Sequence, residues 1–114
     1  MEFDSAIFYS NDLERTINFY SKIIGLKIEY QQGNKYVSFK FPNEVRLGIK
    51  TADSNREIPG SQTIIIAIKN IDDIYKRLKE QNVPMYLDIT NESWGRTFSI
   101  LDPDNNRIEF LKRN

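Results

Sequence analysis

The apolar residues of this chain follow the same series of patterns twice, separated by a short polar segment. Each half has one strand pattern, one amphipathic helix pattern and three further strand patterns, so both halves are predicted to be β-α-β-β-β modules. When Asp12 is aligned with Asn70, the candidate N-cap of each predicted helix, Ser5 corresponds to Thr63. Sequence identity between the halves is low, so the repeat is one of pattern. The alternative is a generic α+β domain in which two helices occur by coincidence.

In the first half, the predicted helix covers residues 12–24. Its apolar residues recur at spacings of four, three and four, which gives one apolar stripe, and they are Leu13, Ile17, Tyr20 and Ile24. Asp12 is a suitable N-cap and Gly25 a suitable stop. The predicted strands are 5–10, 26–31, 35–41 and 44–50.

Residues 51–60 are polar, end in Pro-Gly and are predicted to be a linker. In the second half, Asn70 is expected to cap a helix over 71–82. The predicted strands are 62–68, 84–89, 96–101 and 107–112. We therefore expect a single domain over 1–114, with one module at about 1–50 and the other at about 61–114.

Charge and residue usage limit the function. The chain has 16 Lys and Arg against 16 Asp and Glu, so it lacks the basic surface of a nucleic-acid-binding protein. Neither a secretory signal nor an apolar run as long as a membrane span is found. The absence of cysteine and histidine excludes thiol and histidine catalysis and the usual zinc ligands. A cytoplasmic location is expected.

Two motifs lie near the two ends of the chain. The first consists of DLER at 12–15, FY at 19–20 and IGL at 24–26. The second consists of WGR at 94–96, Phe98 and DPDNNRIE at 102–109. Together they resemble the motifs of the vicinal oxygen chelate superfamily of glyoxalases, bleomycin-resistance proteins and dioxygenases. Asn105 departs from the glycine that the family favours, but Asn tolerates a left-handed backbone.

The resemblance implies an α+β fold of paired βαβββ modules that form a cup-shaped half-barrel of mixed sheet with the helices outside. It also implies a homodimer and, in many members, a metal held by the first and last strands of each module. Carried over, the ligand positions are Ser5, Gly48, Thr63 and Glu109. Only Glu109 is a strong ligand, and a divalent ion needs several oxygens. We therefore predict neither a metal nor another cofactor.

Strand alternation assigns a set of side chains to the inside of the cup, where a ligand would bind. The candidate ligand-binding residues are Ser5, Ile7, Tyr9, Tyr36, Arg46, Gly48, Thr63, Ile65, Trp94 and Glu109. Glu109 is also the candidate catalytic base, unless it is a solvated residue of a polar strand face. Trp94 could instead pack a loop against the sheet.

Four cations, Lys40, Arg46, Lys50 and Arg96, are expected at the cup or its rim, where a surplus of positive charge would favour an anionic ligand. Alternatively, their long side chains extend into solvent. Tyr9, Tyr36 and Trp94 could contact planar groups of an aromatic ligand.

The first functional hypothesis is a protein that binds a small molecule without a catalytic metal. The second is a divalent-metal-dependent enzyme, either a lyase similar to lactoylglutathione lyase, an isomerase or a dioxygenase. Its atypical metal site would take oxygens from Glu44, Asp88 or Glu92. A third is an accessory domain that binds a metabolite or partner.

Overall fold

The chain divides into two units in the computed structural model, which describes all residues from Met1 to Asn114. Unit 1 is Met1–Gly60 and unit 2 is Ser61–Asn114. Unit 1 contains β1 (Ser5–Ser10), α1 (Leu13–Asn18) with a π-helical continuation (Phe19–Ile24), β2 (Ile28–Gln32), β3 (Tyr36–Lys40) and β4 (Arg46–Thr51). Unit 2 contains β5 (Thr63–Ala67), α2 (Ile71–Glu80), β6 (Leu87–Glu92), β7 (Gly95–Leu101) and β8 (Arg107–Arg113). The β-α-β-β-β order predicted for each half is confirmed.

Each unit has one four-stranded mixed sheet, and the two sheets have the same topology. The strand order is β1-β4-β3-β2 in unit 1 and β5-β8-β7-β6 in unit 2. In each sheet the first strand is parallel to the last, and the other neighbours are antiparallel. The predicted α+β fold class is confirmed.

The first helix changes its hydrogen-bonding pattern near its middle, which the sequence did not predict. It begins as expected, with Arg15 N–H donating to the Asp12 carboxylate at 3.1 Å. From Phe19 onward it is π-helical, and the amides of Gly25 and Leu26 both bond the Tyr20 carbonyl, at 3.1 and 2.8 Å. A π-helical turn holds more residues than an α-helical turn, so the buried face departs from a regular stripe.

The second helix ends two residues before the predicted boundary, at Glu80. Asn70 precedes it as the N-cap residue, but its side chain makes no capping hydrogen bond, so the predicted role of that side chain is wrong. Instead, its backbone carbonyl accepts from the Ile74 amide at 3.2 Å. Neither helix has the length and apolar character that a membrane crossing requires.

The core of each unit lies between its helix and one face of its sheet. In unit 1 the Tyr20 and Phe39 rings are 5.8 Å apart, and in unit 2 the Phe98 and Phe110 rings stack at 4.9 Å. The other face of each sheet carries the alternate residues of every strand, and we call it the open face. The unit 1 open face includes Ile7, Tyr9, Tyr36, Ser38, Arg46, Gly48 and Lys50. The unit 2 open face includes Thr63, Ile65, Ser99, Leu101, Arg107, Glu109 and Leu111.

Candidate functional site

Gly48 lies at the centre of the unit 1 open face, between Ile7 on β1 and Ser38 on β3. A Cβ atom at Gly48 would lie 2.8 Å from Ile7 Cδ1 and 2.9 Å from Tyr36 Cε1, and closer still to the Tyr36 hydroxyl. Real Cβ atoms do not approach other atoms so closely. The Tyr36 ring therefore fills the space that a side chain at position 48 would need.

The Tyr36 side chain is partly buried, and its hydroxyl makes no hydrogen bond with the rest of the chain. Burial raises the pKa of this phenol, and the nearby carboxylates of Asp4 and Glu29 raise it further. Tyr36 therefore stays protonated at neutral pH, and its hydroxyl is available as a hydrogen-bond donor.

Arg46 lies near the Tyr36 hydroxyl and is already paired with carboxylates. Its Nε donates to Glu29 Oε1 at 2.8 Å, and its Nη1 is 3.5 Å from Asp4 Oδ1. Ser38 Oγ also donates to Glu29 Oε1, at 3.3 Å. The hydrogen bond from Arg46 lowers the pKa of Glu29, which keeps the carboxylate charged. The positive charge of Arg46 is thus offset within its own unit.

Glu109 lies on the unit 2 open face between Ile65 and Ser99. Its side chain is only 14% exposed, so it is not the solvated residue of the alternative interpretation. It is also not an isolated buried carboxylate, because its Oε1 accepts from Arg107 Nη2 at 2.8 Å. A base at this position would first have to separate from the Arg107 guanidinium.

Arg107 and Ser99, on the same unit 2 open face, leave part of their hydrogen-bonding capacity unused. The Arg107 guanidinium carbon lies 5.5 Å from the centre of the Tyr86 ring, a cation–π distance. Arg107 Nε and Ser99 Oγ are both buried without a hydrogen-bond partner. Arg107, Ser99 and Tyr86 were not among the predicted ligand-binding residues.

A signal for two of these residues was present in the sequence. Arg46 and Arg107 lie opposite Ser5 and Thr63, the equivalent residues of the two first strands. Equivalent residues of the two last strands, β4 and β8, are therefore 107 − 46 = 61 residues apart in sequence. The residues that cap the two helices are 58 apart. At the offset of 61 residues, Ser99 corresponds to Ser38. Ser38 lies opposite Gly48 and Ser99 lies opposite Glu109, the candidate ligand positions of the two last strands.

The other predicted cations also have acidic partners. Lys40 lies 2.6 Å from Glu44, and Lys50 lies 2.6 Å from Glu57. Arg96 bonds Asp72 of α2 at 2.8 Å, so it lies on the helix side and not at the open face. The predicted surplus of positive charge is therefore absent from these residues, since each is paired with a carboxylate.

The remaining candidates lie at the margins. Tyr9 is partly buried on β1, beside Lys50 of β4. Trp94 is 51% exposed between β6 and β7, so it is not buried against the sheet. Ser5 and Thr63 begin the edge strands β1 and β5. Ile7 and Ile65 are equivalent and both exposed, at 41% and 56%.

The available donors do not fit a divalent metal ion. Gly48 has no side chain, and Glu109 is held by Arg107. No group of three or more acidic residues is close enough together to hold a metal. Asp88, an alternative ligand, accepts hydrogen bonds from the Tyr75 hydroxyl and the Ile89 amide, which lower its pKa.

Several solved structures share the fold over almost their whole length. Lactoylglutathione lyase from Agrobacterium tumefaciens is 20% identical with a TM-score of 0.82, covering 97% of this chain and 92% of its own. The antibiotic-binding protein TnmS3 from Streptomyces sp. CB03234 is 22% identical with a TM-score of 0.83, covering 100% and 97%. Oxidase ChaP-H2 is 21% identical with a TM-score of 0.82, covering 100% and 94%.

These identities establish a shared fold alone, because one fold supports many activities. No curated protein matches the sequence significantly. The family model of the Glyoxalase/Bleomycin resistance protein/Dioxygenase superfamily matches residues 2–110, almost the entire chain. The resemblance of the two end motifs is thereby confirmed, and the chain belongs to the Glyoxalase/Bleomycin resistance protein/Dioxygenase superfamily.

Proposed function

We propose that this protein binds a small molecule at the open faces of its sheets without a catalytic metal. The observation that carries the proposal is the packing of Tyr36 and Ile7 over Gly48, one of the four positions to which the family resemblance carries a metal ligand. A glycine there supplies no donor, and Tyr36 fills the space that a ligand side chain would need. A protein that only binds and releases a ligand needs no catalytic group.

The chemistry of the open faces favours a planar, largely apolar ligand. On unit 1, Tyr30 and Tyr36 lie with their ring centres 6.5 Å apart, and Ile7 is exposed beside them. Aromatic rings of this kind stack on planar ligand groups. Arg46 can still donate to a ligand, but its paired charge gives an anion less advantage than the sequence suggested. The antibiotic-binding function of TnmS3 is compatible with such a ligand.

An enzyme of the lyase, isomerase or dioxygenase type has less support. Glu109 is the single carboxylate at the four positions carried over from the family, and its ion pair with Arg107 opposes action as a base. Lactoylglutathione lyase shares the fold at 20% identity, which says nothing about activity.

We further propose that the protein is a homodimer in the cytoplasm and binds no nucleic acid. Each sheet has two edge strands, and every residue of the edge strand β2 is exposed. Exposed edges and apolar residues such as Ile65 favour pairing with another copy.

A thermal-shift screen in the presence of EDTA tests the proposal. The panel contains neutral aromatic compounds and their carboxylate analogues, because a bound ligand raises the melting temperature by mass action. We expect neutral aromatic compounds to stabilise the protein and the Tyr36→Ala variant to respond less. Ser21→Ala is a matched control, since Ser21 bonds the Ile17 carbonyl within the first helix. Stabilisation that requires added metal would count against the proposal, and a response identical in Tyr36→Ala would rule out the unit 1 open face as the binding surface.

A further inference from the structure

Two buried side-chain atoms in this chain lack a hydrogen-bond partner, and both belong to the unit 2 open face. They are Ser99 Oγ and Arg107 Nε. Ser99 is fully buried and lies directly opposite Glu109 of β8. Glu109 is two residues from Arg107, so both residues lie on the same face of β8. Unpaired buried polar groups lower stability and are therefore few in natural proteins, where they call for a specific explanation.

The equivalent atoms of unit 1 are satisfied. Arg46 Nε donates to Glu29 at 2.8 Å, and Ser38 Oγ donates to the same carboxylate oxygen at 3.3 Å. Glu29 lies on β2. In unit 2 no carboxylate accepts a hydrogen bond from Ser99 Oγ or from Arg107 Nε. In unit 1 a single acceptor oxygen, Glu29 Oε1, satisfies both atoms. Unit 2 therefore has two donors prepared for an acceptor that the chain does not supply.

The charge of the site selects the kind of acceptor. Glu109 already accepts from Arg107 Nη2 at 2.8 Å and offsets the guanidinium charge. A second carboxylate would be repelled by Glu109. An uncharged acceptor, such as an amide or ketone oxygen, could bond Arg107 Nε–H and the Ser99 hydroxyl without that repulsion.

Tyr86 lies next to both donor residues. Its ring lies over the Arg107 guanidinium, and its backbone amide donates to the Ser99 carbonyl at 2.8 Å. The residue is 54% exposed, so its ring can turn into solvent without disrupting the core. A planar ligand could then take the place of the ring on the guanidinium face.

We propose that Arg107 Nε and Ser99 Oγ form the recognition point for an uncharged, planar carbonyl compound, with Tyr86 as a movable cover. The inference rests on the proposed small-molecule binding function and specifies its ligand class and its anchor. Glu109 then acts as a positioning residue, because it holds the Arg107 side chain with Nε free of a protein partner.

The test is an NMR titration of the full chain with benzamide and, separately, with benzoate. The two probes share a ring and differ in charge. The Nε–Hε signal of Arg107, assigned by its loss in Arg107→Lys, reports directly on the donor. We expect benzamide to shift this signal saturably, and benzoate to bind more weakly. Ser99→Ala should weaken benzamide binding by about three- to tenfold, the effect of one hydrogen bond. Ser21→Ala and Arg77→Lys, which alter helix residues, should leave it unchanged.

Three results would overturn the inference. These are no saturable shift of the Arg107 signal, unchanged benzamide affinity in both Ser99→Ala and Arg107→Lys, and benzoate binding at least as tight as that of benzamide. Shifts confined to unit 1 residues such as Ile7 and Tyr36 would refute this site while leaving the proposed binding function intact. The absence of any shift by any compound of the thermal-shift panel would instead count against the function itself.

Discussion

At the scale of single residues, the position of the Tyr36 ring explains why residue 48 is a glycine. A glycine in the middle of a strand weakens the strand and often marks a close approach by another group. Here the approaching group is the Tyr36 phenol, with Ile7 on the other side. The sequence showed that Gly48 could not be a ligand, but not which side chain fills its place.

Replacing Gly48 with alanine should lower the free energy of unfolding by about 1–3 kcal/mol, because the added methyl group overpacks against Tyr36 and Ile7. The loss should become smaller in a Tyr36→Ala background, where the ring is absent. Urea unfolding of the two single variants and the double variant measures the coupling. Strictly additive effects would show that Tyr36 does not occupy this space.

Ser99 and Ser38 provide a matched pair at equivalent positions. Ser99→Ala removes an unpaired buried hydroxyl and should leave the free energy of unfolding unchanged or raise it. Ser38→Ala removes a hydrogen bond to Glu29 and should lower it by about 0.5–1.5 kcal/mol. Urea unfolding of both variants under the same conditions makes the comparison. A larger loss in Ser99→Ala would mean that the Ser99 hydroxyl has a partner in solution.

At the scale of elements, apolar periodicity predicted the number, order and type of the strands and helices. It succeeded because each strand alternates between a core face and an open face, as β4 does at Leu47, Gly48 and Ile49. It did not predict the π-helical turn, in which Phe19, Tyr20 and Ile24 are buried. Alternation placed Arg107 on the open face, but a single offset of 58 hid the equivalence of Arg107 and Ser99 to Arg46 and Ser38, so neither was a ligand-binding candidate.

The contact between α2 and β6 gives the protein one source of pH-dependent stability. The Tyr75 hydroxyl donates to Asp88, which lowers the pKa of Asp88 below its ordinary value of 3.8 and raises that of Tyr75 above 10.0. A carboxylate with a lowered pKa stabilises the fold above its unfolded pKa, and this contribution is lost as the pH falls through the folded pKa.

Tyr75→Phe should therefore be less stable than the parent at neutral pH, and the difference should shrink once the pH falls below 3.8. Thermal unfolding of parent and variant across the acid range is the measurement. Asp88→Asn should lose the same acid-dependent contribution. A stability difference that stays constant down to the lowest pH would contradict the role of this hydrogen bond.

At the scale of the whole molecule, the family motifs and the repeated pattern were enough to predict the fold class and the superfamily. They were not enough to predict the ion pairs, because the partners of Arg46 and Arg96 come from strands and helices distant in sequence. The sequence suggested an anionic or aromatic ligand, and these ion pairs weaken the anionic alternative.

The proposed dimer can be tested directly by light scattering of the purified protein at micromolar concentration. The chain has a mass of 13.4 kDa, and we expect twice that value. Ile65→Lys places a charge on an exposed apolar residue of β5 and should weaken the dimer if this face is the interface. A mass of one chain for the parent protein at these concentrations would refute the dimer.

The proposal that the protein works without a bound metal can be tested by calorimetric titration of the EDTA-treated chain with Ni²⁺, Mn²⁺ or Zn²⁺. We expect no stoichiometric binding, because Gly48 supplies no donor, Tyr36 fills its space and Glu109 is paired with Arg107. Binding of one metal ion per chain that is lost in Glu109→Gln would contradict it.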